Sequence, residues 1–241
     1  MINKLITPES THSFILATTS SFKQKLFKRI GLPFTVLDPQ TDETPYPNED
    51  GATLAQRLAR AKAEAGAHIA IQNSKVNVQT DACVRRTERL FIIGCDQVPV
   101  LESGQILHKP GTPELAKQEL RRLSGKRVVF YTAVSVIRVK QPMLAGGTPE
   151  DSQHQPHLHS DIHHVGSHTD ITTVTYRPIS EQHIERYLDQ EAGWRCAGAV
   201  QSEALGITLL AAIDTTDPSA LVGLPLIGLT SLLQNQNIQI P

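Results

Sequence analysis

The run Leu90-Phe91-Ile92-Ile93-Gly94-Cys95-Asp96-Gln97-Val98 constrains this chain more than any other stretch, because a nearly unbroken apolar segment carries one carboxylate. So little polar relief predicts a strand buried on both faces, as in a sheet covered by helices. Asp96 stands at the end of that predicted strand. A charge there costs free energy unless a cation, a cationic side chain or cleft solvent meets it. The position therefore predicts an active site or, as the bland alternative, a carboxylate capping a turn.

The remainder of the chain is able to support such a sheet. With 241 residues and 39% hydrophobic content, the core suffices for one large domain or two small ones. The 23 basic and 24 acidic residues nearly cancel, so no global charge draws the chain to nucleic acid or an acidic membrane. Any phosphate site must be local. Cys83, Cys95 and Cys196 are odd in number and lack a CxxC spacing, which argues against a disulfide framework or zinc ribbon and for a reducing compartment. No segment approaches the roughly 18–20 apolar residues of a membrane span, so a soluble cytoplasmic protein is expected.

Along the chain, Phe14-Ile15-Leu16-Ala17 predicts a strand leading into the hydroxyl-rich turn Thr18-Thr19-Ser20-Ser21 and a helix over residues 23–30, closed by Gly31. A second strand follows at Phe34-Thr35-Val36-Leu37, then a loop with Asp42 and Glu43, then a helix over 53–70 with Leu54, Leu58, Ala61 and Ala65 on one face. Residues 72–89 read as a polar insertion. Beyond Asp96 the pattern predicts a helix over 113–123 and a long strand over 128–139. Residues 141–169, dense in Pro, Gly, Ser and His, read as a mobile excursion before an antiparallel strand at 171–176. Ser180 is expected to cap a helix over 181–191, followed by a strand over 207–212 and a last helix over 225–233.

Certain residues carry chemistry. Hydroxyls, free N–H groups and the helix dipole at residues 18–21 suit a phosphate, although such turns are more often plain helix caps. Lys23 favours the phosphate reading, since an ammonium in a first helical turn is badly placed for the dipole unless an anion binds there. Lys109 precedes Pro110, which keeps the backbone extended, and is expected to project toward Asp96. Asp42, Glu43 and Asp96 facing Lys23, Lys62 and Lys109 would join divalent-cation ligands to phosphate-binding ammonium groups, as a nucleoside triphosphate requires. The six histidines between His154 and His168 are irregularly spaced and read as an adventitious metal-binding or simply polar insertion rather than a catalytic centre. No histidine is placed by motif to activate Cys95, which reads as a small buried thiol.

With these motifs in order, the chain resembles Maf-type nucleoside triphosphate pyrophosphatases over nearly its whole length. The resemblance rests on Leu16-Ala17-Thr18-Thr19-Ser20-Ser21-Phe22-Lys23, Asp42-Glu43-Thr44, Leu58-Ala59-Arg60-Ala61-Lys62-Ala63 and Ile93-Gly94-Cys95-Asp96-Gln97-Val98. Lys109-Pro110, Ser124-Gly125 with Phe130-Tyr131-Thr132, Cys196-Ala197-Gly198 leading to Glu203-Ala204-Leu205-Gly206-Ile207, and Asp217-Pro218-Ser219-Ala220-Leu221-Val222-Gly223-Leu224-Pro225 extend it. It implies one α/β domain over residues 1–241, a mixed twisted sheet with flanking helices and two lobes around a nucleotide cleft.

The resemblance also implies hydrolysis of the bond between the α- and β-phosphates, giving a monophosphate and pyrophosphate, with Mg²⁺ or Mn²⁺. Asp96 would be the general base, or would orient a metal-activated water. Glu43 and Asp96 would hold the metal, and Ser20, Lys23, Lys62 and Lys109 the phosphates. Phe22, Gln97 and Glu203 resemble the specificity trio of the 7-methyl-GTP branch. Methylation makes guanine cationic, so Phe22 would stack on it, while Glu203 would accept hydrogen bonds from the guanine edge. A homodimer is implied as well. The chain departs from the family at Ser21, Gln24 and His108, and Gln24 removes a guanidinium suited to bidentate phosphate contact. Two rival readings are a nucleotide-binding regulator of cell division with little turnover, and a pyrophosphatase for other non-standard or pyrimidine nucleotides.

Overall fold

Alternating apolar segments and helical stretches build a six-stranded sheet in the order β2-β1-β3-β4-β5-β6. The computed structural model describes residues 12–77, 89–140 and 161–240. The strands are β1 (His12–Ala17), β2 (Phe34–Leu37), β3 (Arg89–Leu101), β4 (Arg127–Lys140), β5 (Asp161–Tyr176) and β6 (Leu210–Asp214). β1 runs parallel to β2 and β3, whereas β3, β4, β5 and β6 pair antiparallel. The sheet is therefore mixed, as expected.

Among the described residues five helices flank it: α1 (Ser21–Lys28), α2 (Gly51–Asn77), α3 (Pro113–Leu123), α4 (Glu181–Gln190) and α5 (Leu226–Gln234). Side chains alternate across β3, so Phe91, Ile93 and Cys95 meet α1 and α5 while Ile92 meets α2. On α2 the buried stripe runs Leu54, Ala55, Leu58, Ala59, Ala63, Ala67 and Ala70. Ala61 and Ala65, expected on the core face, are only half-buried. The alanines let the helix lie close on the sheet, and Gly94 removes the last obstacle. A Cβ at Gly94 would run into the Ala59 carbonyl oxygen and the Ala63 nitrogen.

One face of the sheet carries two apolar clusters. Phe14, Phe27, Phe91 and Val134 pack beneath α1 and α5. Leu120, Leu123, Phe130, Tyr176 and Ile184 pack beneath α3 and α4. Between them, buried Thr132 and Thr172 form a polar band on β4 and β5. No described helix is long and apolar enough to cross a membrane.

Several sequence-based boundaries require correction. The central strand does not stop at Asp96: β4 pairs with it onward to Leu101 opposite Val128. The helix expected over 53–70 runs to Asn77, so the first part of the 72–89 insertion is helical, and residues 78–88 lie outside the described residues. β5 begins at Asp161 rather than at 171, because β4 extends to Lys140 and backbone pairing with it needs no apolar side chains. His163, His164 and His168 are thus strand residues, and 141–160 lie outside the described residues. Of the strand expected over 207–212, only the second half is strand, as the start of β6 at Leu210; residues 207–209 belong to a 3₁₀ turn, Leu205–Leu209. Hydrophobicity alone does not separate those two conformations.

Candidate active site

The site forms where β1 ends. β1 pairs with β3 only as far as Ala17 opposite Gly94, so Asp96 sits two residues beyond the end of its neighbour. β2 and β3 flank β1 on opposite sides, and α1 and α2 cover opposite faces of the sheet. Connections diverging from one strand end leave a crevice there. Further along β3 the chain turns at Gly104, whose φ is +84°, and Ile106 pairs back onto Val100. Leu107 N–H donates to Pro99 O at 2.8 Å, so the returning segment carries His108 and Lys109 toward the same opening.

A cavity of about 340 Å³ fills the crevice, within the size range of small-molecule sites. Its lining includes every sequence-predicted site residue: Ser20, Phe22, Lys23, Glu43, Lys62, Asp96, Gln97, Lys109 and Glu203. Asp42 is the exception within the expected carboxylate cluster. It stays exposed on the loop, and its Oδ1 accepts the Thr44 N–H at 2.9 Å in an Asx turn.

Lys62 is the electrostatic centre. It emerges from the buried stripe of α2, and its Nζ donates to Asp96 Oδ1 at 2.6 Å and pairs with Glu43. Burial alone would favour the neutral amine, but the charge and hydrogen bond of Asp96, with Glu43, outweigh it and raise the Lys62 pKa. Burial likewise pulls the Glu43 carboxyl upward. The Lys62 hydrogen bond, together with the charges of Lys62, Lys23 and Lys109, outweighs that and holds Glu43 below its ordinary range.

On the other side of β3, Ser20 caps α1 as its Oγ accepts the Lys23 N–H, and Lys23 Nζ donates to Cys95 O at 2.9 Å. Phe22 is half-buried in the first turn of α1 rather than in the core, so its ring borders the cavity. The Gln97 amide nitrogen donates to Thr132 Oγ1 at 3.1 Å, Ala220 O at 2.9 Å and Leu221 O at 3.0 Å. Gln97 therefore ties down the closing loop, whose Val222 and Gly223 form a wall beside Lys23. Asp170, buried on β5, fixes the same loop through Thr215 and Thr216. Glu203 is exposed at the rim.

Tyr176 and Arg195 also line the cavity and carried no signal in the sequence, whereas Phe130 and Cys196, which line it too, lie in segments of the family resemblance but were given no role at the site. Tyr176 OH donates to Gly198 O at 2.8 Å, which holds the glycine-rich segment over the pocket. Burial, then the charge of Glu203, pushes the Cys196 thiol up to about 11, and burial raises that of Cys95 as well. Both remain thiols near neutral pH, consistent with reading no cysteine nucleophile.

Comparison with known proteins matches residues 13–236 to the family model described as Maf-like protein. A protein of Aromatoleum aromaticum named 7-methyl-GTP pyrophosphatase is 37% identical over 227 residues, covering 94% of this chain and 97% of its own. One of the same name from Xanthomonas campestris pv. campestris is 39% identical, covering 94% of this chain and 97% of its own. A third, from a Polaromonas species, is 38% identical over 229 residues, covering 95% of this chain and 86% of its own.

Proposed function

The chain belongs to the Maf family, and on that premise we propose that it hydrolyses the α–β anhydride of a nucleoside triphosphate, with 7-methyl-GTP as substrate. The observation that carries this reading is the convergence of Glu43, Asp96, Lys23, Lys62 and Lys109 on one cavity that Phe22 and Glu203 also border. The names of the relatives support the same activity.

In this reading Lys23 and Lys109 bind the polyphosphate, with the Ser21 and Phe22 N–H groups that follow the Ser20 cap available to its oxygens. Lys62 aligns the Asp96 carboxylate, which orients the attacking water and accepts its proton as the anhydride breaks into nucleoside monophosphate and pyrophosphate. Phe22 stacks on the cationic methylguanine and Glu203 accepts from its N1–H and amino groups. The Gln97 carbonyl oxygen completes the base-selecting set, because its amide nitrogen is engaged with the closing loop.

The residues fit a divalent cation. Lys62 already bridges Glu43 and Asp96, so the pair accepts positive charge. No group of three or more His, Cys, Asp or Glu able to hold a metal occurs among the described residues. Mg²⁺ and Mn²⁺ suit this arrangement, since one or two carboxylates with substrate phosphates are a common ligand set for such hard ions. Glu43 and Asp96 would hold the ion, whose chemistry is to neutralise phosphate charge and acidify water. A cytoplasmic homodimer is the setting this reading carries.

The test is incubation of the purified protein with Mg²⁺ or Mn²⁺ and a panel of nucleotides, measuring pyrophosphate and monophosphate. Release from 7-methyl-GTP that is lost in Asp96→Asn is expected. Full activity in that variant, or no release from 7-methyl-GTP, would sink the reading. Tight binding without turnover would favour the regulator instead.

A further inference from the structure

Glu43 reaches the cavity from residues 38–50, a connection without helix or strand. A carboxylate on such a loop samples many positions unless its backbone is held, and each ordered residue costs conformational entropy. Arg57 on α2 supplies the hold. Its Nε donates to Glu49 Oε1 at 2.7 Å, and its Nη2 donates to Glu49 Oε2 at 2.8 Å and to Thr44 O at 3.0 Å. The guanidinium carbon also lies 3.9 Å from the centre of the Tyr46 ring. Glu49 Oε2 in turn accepts the Tyr46 N–H at 2.9 Å.

One guanidinium thus gathers both ends of the 44–49 turn, and the carbonyl it grips belongs to the residue next to Glu43. The Glu49 side chain is only 4% exposed and that of Arg57 23%, so this contact is partly shielded from solvent. α2 holds the Glu43 segment at two points: Arg57 fixes its backbone and Lys62 meets its carboxylate. Arginine is particularly suited to this, because a planar fork makes in-plane contacts to a carboxylate and a carbonyl while presenting a flat face to an aromatic ring.

We propose that Arg57 is a positioning residue that sets Glu43 against Lys62 and Asp96, acting through the 44–49 turn without touching substrate. This inference rests on the proposed role of Glu43 in the reaction. It makes Arg57 and Glu43 parts of one device, so their losses should not multiply.

The experiment compares the intact protein with Arg57→Ala, Arg57→Lys, Glu49→Gln, Glu43→Gln and the Arg57→Ala/Glu43→Gln double variant. Turnover of 7-methyl-GTP and amide hydrogen exchange are both read. Arg57→Ala is expected to lower kcat about tenfold, the scale of a misplaced catalytic group, with little change in KM. Lysine should not rescue it, and Glu49→Gln, which removes the fork's acceptor, should reproduce the loss. Exchange should quicken in residues 42–50 while β3 and β4 stay protected. In the Glu43→Gln background, Arg57→Ala should cost nothing further.

Unchanged exchange in residues 42–50 of both Arg57→Ala and Glu49→Gln overturns the clamp, as does full multiplication of the two losses in the double variant. Exchange needs no turnover. An inactive parent would therefore count against the proposed function, while the exchange result would still decide the clamp. Equal turnover in Glu43→Gln and the parent would overturn the inference together with the role of Glu43.

Discussion

Gly94→Ala concentrates the packing argument in a single methyl group. The added Cβ would press on the α2 backbone at Ala59 and Ala63, with Ala63 Cα only 3.0 Å away. An unstrained carbon pair sits at roughly 3.5–4.0 Å, so α2 must retreat by at least about 0.5–1 Å. Backbone, unlike a side-chain tip, has no rotamer into which to move. Overpacking of this kind costs about 1–3 kcal/mol. At roughly 2–4 °C per kcal/mol for a chain this size, the melting temperature should fall by about 2–12 °C.

The same retreat should reach the chemistry. Lys62 follows Ala59 on the displaced helix, and Asp96 lies two residues beyond Gly94. Their 2.6 Å contact would stretch to the limit of a hydrogen bond. Misplacement on this scale is expected to lower turnover of 7-methyl-GTP by on the order of 10- to 100-fold. Differential scanning calorimetry and pyrophosphate release measure the two effects on one sample. Gly66→Ala serves as comparator, because its Cβ would meet the side chains of Ile92 and Ala17 at 2.9 and 3.0 Å, farther from the Lys62–Asp96 pair. If Gly94→Ala keeps both the parent melting temperature and the parent rate, close packing of α2 on this strand does not position the ion pair.

Other outcomes are expected on the same grounds. Phe22→Ala should raise KM for 7-methyl-GTP about 2- to 30-fold, the equivalent of about 0.5–2 kcal/mol of cation–π attraction, while leaving KM for GTP less affected; equal effects on both would remove the stacking role. Tyr176→Phe leaves the Gly198 carbonyl without its buried donor and should cost about 1–3 kcal/mol, read as a lower urea midpoint at unchanged slope. The Arg57 hydrogen bond, against a smaller opposing effect of burial, lowers the Glu49 pKa from 4.5 to about 2. Its stabilising contribution is therefore complete above 4.5 and fades as pH falls toward about 2. In Glu49→Gln the urea midpoint should decline less steeply across that window, and identical pH profiles would show that the pair contributes no pH dependence.

Much of the fold was legible because it is written in local patterns. The hydroxyl turn before α1, the Ser180 cap of α4, the apolar face of α3 and the β-branched run of β5 each depend on residues close in sequence. The central strand was legible too, since burial on both faces leaves a continuous apolar run. Its end was misread, because β1 stops pairing at Gly94, two residues before Asp96, while β4 pairs on to Leu101, and a partner's length is not written in the strand itself. The start of β5 was missed for the same reason. Its first half is polar and is ordered by a ladder with β4, to which side-chain hydrophobicity is a poor guide.

The site divides along the same line. Residue types in ordered motifs marked Glu43, Lys62, Asp96 and Lys109, because carboxylates and ammonium groups near a buried strand need one another. The sequence also marked Phe22, by resemblance, as a ring at a helix start. That Lys62 bridges both acids, that Asp42 turns away into its own Asx turn, and that the Gln97 amide nitrogen is committed to the closing loop were decided by tertiary structure alone. So was the grip of Arg57 on Glu49 and Thr44. These are matters of direction and distance between segments, set when α2 settles onto Gly94 and β1 ends two residues short of Asp96. Chain composition supplies the charges, but only packing determines which of them meet.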